Sequence, residues 1–265
     1  MNKSKKSYGP GTLKSQFSES EMIDELSKMI LGNMSEWIEF CIHLFRFQSL
    51  NVSSIDNRNA YSTGRYWLKK IFLCIEKYQD AIILEGKAYV DETYLSVMPK
   101  DLDRKDGKKL RDLSRNKLCI VTATDGSRTF IAYIGNGKPS AKRLIEGLGN
   151  HIKPGTLIVD DGEKSHASLC RKLNSERESH PGSTTKGLPN DRNPLDPVNE
   201  VHRFFKRFMR NHGGYKRDEV QDWCNLFSFI WNHHGKLPEM VYDVMQLVLN
   251  HKRILRYRQL FDKKS

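Results

Sequence analysis

At residue 87 the chain changes its hydrophobic period. Upstream, apolar residues recur at helical spacing; downstream, Ala88-Tyr89-Val90-Asp91-Glu92-Thr93-Tyr94-Leu95 is β-rich and alternates. This run reads as a strand with an acidic residue at its centre. A carboxylate inside an apolar strand is costly unless it is paired or holds a metal. Val-Asp-Glu-Thr-Tyr carries no turn signal that would relieve the cost.

The segments after this strand complete a recognisable order. Pro99 to Lys117 is a charged loop holding Lys100, Arg104, Lys105, Lys108, Lys109, Arg111, Arg115 and Lys117. Leu118–Thr124 and Thr129–Ile134 read as a hairpin around the turn Asp125-Gly126-Ser127. Ser140–Asn150 reads as a helix, Thr156–Asp160 as a short buried strand and Glu163–Leu173 as a helix. Ser175–Pro197 is polar, with room for one more strand. Helices follow at Val198–Asn211, Arg217–Asn232 and Leu237–Phe261. Three strands that can pair antiparallel, then alternating helix and strand, predict an RNase H-like mixed α/β sheet flanked by helices.

A helical region precedes the sheet. Ser35 is the expected N-cap of a helix over Glu36–Phe47. A short helix fits within Asn51–Asn59, and a third opens at Ser62-Thr63-Gly64. Helix, short polar helix, turn, basic helix is the layout of a helix-turn-helix, with Arg65, Lys69 and Lys70 as its DNA-facing side chains. The expected organisation is a disordered basic tail over 1–18, this helical region over 19–86, a catalytic core over 87–235 and a basic helical tail over 236–265.

The charge supports an anionic partner. Lys plus Arg number 44 against 32 Asp plus Glu, a net of +12, and nucleic acid is the first candidate for such an excess. Residues 201–265 hold 13 basic and 6 acidic side chains, over half of the excess. Five separated cysteines without a C-x-x-C pair argue against a zinc finger or a disulfide scaffold. No apolar run is long enough for a membrane span, and the first 20 residues have no signal-peptide core. The expected location is therefore cytoplasmic.

Candidate chemistry sits at three places. Asp91 lies within its strand. Asp160 and Asp161 end the strand Leu157-Ile158-Val159, and taken alone Asp160-Asp161-Gly162 reads more readily as a turn with an N-cap for the next helix. On the helix from Val198, at about 100° per residue, Asn199, His202, Arg203, Lys206 and Arg210 share one stripe. Val201, Phe204, Phe205 and Phe208 lie opposite, and Glu200 is turned roughly 100° from Asn199. Two strand carboxylates with an amide and bases on a late helix suit metal-dependent phosphoryl transfer.

The segments Val90-Asp91-Glu92-Thr93-Tyr94, Asp161-Gly162-Glu163-Lys164-Ser165-His166 and Asn193-Pro194-Leu195-Asp196-Pro197-Val198-Asn199, running on through His202 to Lys206-Arg207-Phe208, resemble the ISXO-like bacterial insertion-sequence transposases of the DDE superfamily. Asn211-His212-Gly213-Gly214-Tyr215 and the helix from Asp222-Trp223 to Asn232 continue the likeness. It runs from about residue 35 to the end, without the zinc ribbon that precedes many members.

The resemblance implies an RNase H-like core, Mg²⁺ or Mn²⁺ (two ions), and cleavage and strand transfer at element ends by a bacterial, nucleoid-associated protein. By position, it makes Asp91 the first metal ligand and Asp161 the second, with Asp160 the near alternative. Asn199 is the third, with Glu200 and His202 open, and His202 and Lys206 stand beside the site. Arg203, Arg207 and Arg210 join Arg65, Lys69 and Lys70 as DNA contacts. Double-stranded DNA and further copies of the chain are the implied partners. The competing readings are a nuclease of the same fold without joining activity, and a decayed or domesticated DNA-binding protein.

Overall fold

The computed structural model of the chain describes residues 34–110, 113–213 and 215–251. The basic tail expected over 1–18, the first part of the helical region and the basic stretch with Lys252, Arg253, Arg256 and Arg258 lie outside the described residues.

Among its described residues the helical region holds three α-helices: α1 (34–45), α2 (Leu50–Asp56) and α3 (Tyr61–Ile75). Ser35 already lies inside α1, so it is not the cap. Ser49 caps α2, its hydroxyl accepting from Val52 N. Gly64 lets α3 approach α2, because a Cβ there would sit 2.3 Å from the Ser54 hydroxyl.

The sheet follows: β1 (Lys87–Ser96), a small ribbon of β2 (Arg104–Lys105) and β3 (Lys108–Lys109), then β4 (Lys117–Thr124) and β5 (Thr129–Asn136). Next come α4 (Ala141–Leu148), β6 (Leu157–Asp160), α5 (Lys164–Leu173), β7 (Arg177–Ser179) and the single turn α6 (Gly182–Thr185). Helices α7 (Asp196–Asn211), α8 (Val220–Asn232) and α9 (Leu237–Asn250) close the described chain. The loop expected over Pro99–Lys117 thus contains a ribbon, and the polar stretch after Ser175 does hold a strand.

The main sheet has the order β5-β4-β1-β6-β7. Strands β5, β4 and β1 are antiparallel, while β6 and β7 run parallel to β1. This is the RNase H-like arrangement that the sequence order predicts. Side chains alternate between two faces. Leu95, Leu118, Ile120 and Ile131 enter a core with α1, α3, α7, α8 and α9. Ala88, Val90, Val121 and Ala123 enter another with α4 and α5.

The helical region belongs to the first core. Trp67, Leu68, Ile71 and Phe72 of α3 are buried in one cluster with Phe205 and Phe208 of α7 and Trp223 of α8, and Phe72 meets Trp223 edge-on at 5.0 Å. The outer edge of β5 is closed by side-chain amides. Asn232, Gln79 and Gln221 accept the N–H groups of Thr129, Ile131 and Tyr133 at 2.8–2.9 Å. An edge so occupied cannot template pairing with another chain. Among the described residues no helix is long and apolar enough to cross a membrane.

Candidate active site

Strand register places the first two carboxylates. Lys87 pairs with Leu157, Ala88 with Ile158 and Tyr89 with Val159, a constant offset of 70. The offset from Asp91 to Asp161 is the same, 161 − 91 = 70. Asp161 therefore follows the paired stretch at the same offset as Asp91, and its charge is felt at Asp91. It lies just past the end of β6, where Gly162 turns the chain with φ +87°.

Asp91 faces α7. Its Oδ1 accepts from Glu92 N at 2.8 Å, and its Oδ2 lies 3.6 Å from His202 Nδ1. Burial, then the negative charges of Asp161 and Glu92, push its pKa up to about 7. Asp161 remains 40% exposed, its Oδ1 accepting from Glu163 N at 2.9 Å.

Asp160, one residue earlier, points to the other face and is fully buried. It accepts Arg177 Nε at 2.6 Å, Arg177 Nη2 at 2.9 Å, Ser179 Oγ at 3.2 Å and Gly162 N at 2.6 Å. Burial would raise its pKa, but these donors and His166 hold it well below the usual carboxylate range. Its oxygens are committed to the protein.

The same face carries a pair that the sequence reading did not assign. Glu92 and His166 are both buried, with His166 Nε2 2.9 Å from Glu92 Oε1. His166 Nδ1 lies 3.7 Å from both Asp160 and Asp161. Burial alone would push the imidazole down, but the carboxylates of Asp160 and Glu92 hold it up at about 10, so it is charged. The signal was strand alternation: Glu92 must face away from Asp91, into the helical layer, where it needs a cation.

Asp160, Asp161 and His166 offer ligand atoms within 4.8 Å of one another. In that trio Asp160 is already paired with Arg177, and His166 would have to give up its proton to coordinate an ion. Asp91 and Asp161 are the second pair of neighbouring carboxylates. Asp161 is 40% exposed and Asp91 only half-buried, neither makes an ion pair with Lys or Arg among the described residues, and the charge of Asp161 raises Asp91 while His166 offsets part of that.

Helix α7 supplies the remaining candidates, rotated from the expected setting. Its buried arc includes Val198, Val201, His202, Phe205, Phe208 and Met209. His202 thus belongs to the packed side, because Leu195 and Val198 seat the start of α7 against Val159 in a small third cluster. Burial and the charge of Lys206 push His202 down to about 3, leaving it neutral beside Asp91. Asn199 and Lys206 are exposed. Asn199 makes no side-chain hydrogen bond to either aspartate among the described residues. Glu200 is half-exposed, 3.4 Å from Arg203 Nη2.

The basic side chains divide into two groups. Arg203, Arg207 and Arg210 are exposed along α7. Arg65 and Lys69, expected to face DNA, instead converge on Glu219 at 2.8 and 3.0 Å. Glu219 is buried, so these two cations neutralise a charge within the protein. Lys70 lies over the Tyr66 ring at 4.5 Å.

No family model matches the chain, and no curated protein matches it. Among solved structures, the catalytic domain of Mos1 mariner transposase aligns with 68% of this chain and 92% of that one, at 15% identity and a TM-score of 0.36. A pre-cleavage Mos1 transpososome aligns with 96% of this chain and 83% of that one, at 13% identity and a TM-score of 0.33. A Mos1 strand transfer complex covers the same shares at 11% identity and a TM-score of 0.34.

Proposed function

We propose that this chain is a DNA transposase of the DDE type, in the ISXO-like branch with Asn as third ligand. It would cleave at the ends of an insertion sequence and join the freed 3′-hydroxyl to target DNA. The observation that carries the reading is the crowding of two carboxylates on the face toward α7, where Asp161, just past the end of β6, adds its negative charge to the partly buried Asp91. The sequence resemblance supplies the reaction class.

The residues fit a hard divalent cation, Mg²⁺ or Mn²⁺. Asp91 and Asp161 offer carboxylate oxygens, which such ions prefer. Asn199 would add a neutral amide oxygen from the first turns of α7. When bound, two such ions stabilise the attacking and leaving oxygens of an in-line displacement. The chain's own part is positioning. Glu92 N fixes one oxygen of Asp91, and the Glu92–His166 pair ties β1 to the turn that carries Asp161. His202 packs beside Asp91 without adding positive charge. Lys206, Arg203, Arg207 and Arg210 present cations along α7 to the DNA backbone.

The test uses purified protein, Mg²⁺ or Mn²⁺, and duplexes taken from the DNA flanking the gene. Wild-type protein is expected to nick at one end sequence and join it to a plasmid. Asp91→Asn is expected to lose both steps with DNA affinity equal or slightly raised. Loss of folding together with DNA binding in that variant would make Asp91 a structural residue and end this reading. Nicking without joining would favour the nuclease.

A further inference from the structure

The ribbon between β1 and β4 is built against its own electrostatics. Arg104 stands opposite Lys109 and Lys105 opposite Lys108. All four side chains are exposed, and none makes an ion pair among the described residues. Like charges directly opposite in a ladder are destabilising, and a ribbon of two residues per strand is marginal alone. The turn Asp106-Gly107, with φ +52° and +73°, supplies the left-handed geometry of a tight hairpin.

The rest of the protein holds this ribbon in place. Asn116 is buried at its base, its Oδ1 accepting from Asp103 N at 2.7 Å and its Nδ2 donating to Asp103 O at 2.9 Å. The side chain thereby copies one rung of a β-ladder. Arg217 Nη2 donates to Asp101 O at 3.3 Å. Arg104 donates to Gly107 O at 3.2 Å. Although Asp101, Asp103 and Asp106 lie close in sequence, none of the four cations is paired with them among the described residues, so a pinned ribbon presents four exposed cations to an anionic partner.

We propose that residues 104–109 form an arm that grips the phosphate backbone of duplex DNA flanking the bond to be cut. This rests on the transposase reading and adds a contact outside α7 and the catalytic residues. Strand β1 ends at Ser96, five residues beyond Asp91. At ~3.3 Å per residue the arm's root is about 17 Å from Asp91 along the strand. That is roughly five base pairs of duplex at 3.4 Å each. The arm therefore holds DNA beside the cut rather than at it.

The experiment measures binding of a short labelled random-sequence duplex against salt concentration. It compares full-length wild type with the variant Arg104→Ser/Lys105→Ser/Lys108→Ser/Lys109→Ser. The salt slope is expected to flatten by about two to four units, at ~0.9 per lost phosphate contact, with affinity down roughly ten- to a thousand-fold. The melting midpoint should be equal or higher, since repulsion is removed. Asn116→Ala keeps all four charges and should weaken binding with a nearly unchanged slope. A folded quadruple variant with the wild-type slope would overturn the arm while leaving the Asp91 and Asp161 reading, which is read by cleavage, untouched. The same slope with a changed oligomeric mass would also overturn it, placing the ribbon against a second copy. Failure of wild type to bind any duplex would overturn both.

Discussion

Asp91 and Glu92 are neighbours in β1, point to opposite faces, and each meets a buried histidine. On the Glu92 face, His166 and Arg177 stand against Glu92 and Asp160, two positive charges for two negative. On the Asp91 face, His202 is neutral and Asp91 confronts Asp161 with no Lys or Arg paired to it. The histidines are alike in burial and differ in charge because of the carboxylates that touch them. The balanced face needs nothing from outside. The unbalanced face is the candidate site, because perturbed ionisation of this kind clusters at functional sites.

The largest expected effect separates the two adjacent aspartates. Asp91→Asn and Asp161→Asn should each lower cleavage by roughly 10³-fold, since metal stabilisation of transition-state charge amounts to several kcal/mol at about 1.4 kcal/mol per decade. Asp160→Asn should leave the folded fraction's cleavage within a few-fold of wild type. Nicking of DNA by the three variants, normalised to folded protein, checks this. Activity that survives in Asp161→Asn and vanishes in folded Asp160→Asn would reverse the faces.

The balanced face should instead show itself in stability. Removing one partner of a buried pair costs about 3–5 kcal/mol, so Asp160→Asn and His166→Leu should each fall in that range in denaturant unfolding. The pH dependence has a definite sign. Asp160 is depressed in the fold, so its contribution is present above about pH 4, its unfolded value, and is lost as pH falls below that. His166 is raised to about 10, so its contribution is whole below about pH 6.5 and is lost as pH climbs through 10. The two overlap fully between about pH 4 and 6.5. In His166→Leu the loss at high pH should disappear.

Much of this comparison was readable in the sequence, and the unread part has one cause. Strand alternation drew attention to Asp91, because period is local, whereas Asp160-Asp161-Gly162 alone read as a turn and only the family resemblance singled out Asp161. The pairing of Asp160 with Arg177, 17 residues away on another strand, was not readable from the run itself. The pairing of Arg65 and Lys69 with Glu219 spans about 150 residues, and nothing in the basic pattern of α3 distinguishes a cation facing DNA from one facing a buried carboxylate. The setting of α7 was likewise decided by Leu195 and Val198 meeting Val159. Periodicity gave the stripe but not its rotation against the sheet.

A smaller effect sharpens the unbalanced face. Asp91 is raised to about 7, opposite in sense to Asp160, so its ionisation erodes stability as pH rises from about 4 to 7. A divalent cation that binds the ionised pair should reverse this. At a hundredfold excess over its Kd the gain is about 2.7 kcal/mol, read as a melting shift with Mg²⁺ or Mn²⁺ that is larger at pH 8 than at pH 6. Asp91→Asn should show no shift. A shift that persists in Asp91→Asn and is lost in Asp160→Asn would put the ion on the other face.

The smallest effect concerns the third position on the Asp91 face. Asn199 is one turn before His202, exposed, and held by no other side chain among the described residues. Glu200 already has Arg203 on the solvent side, in an exposed pair of the kind that contributes about 0–1 kcal/mol. His202 is neutral and packed, and imidazole suits softer metals than Mg²⁺. A neutral amide oxygen is a modest ligand beside two carboxylates. Asn199→Ala should therefore cost about ten- to a hundredfold in cleavage, the range for groups that tune a metal site without dominating it. Asn199→Asp should retain part of the activity, and Glu200→Ala should stay within a few-fold of wild type. Cleavage that survives Asn199→Ala and collapses in Glu200→Ala would mean that α7 turns on binding DNA, and would make Glu200 the third ligand.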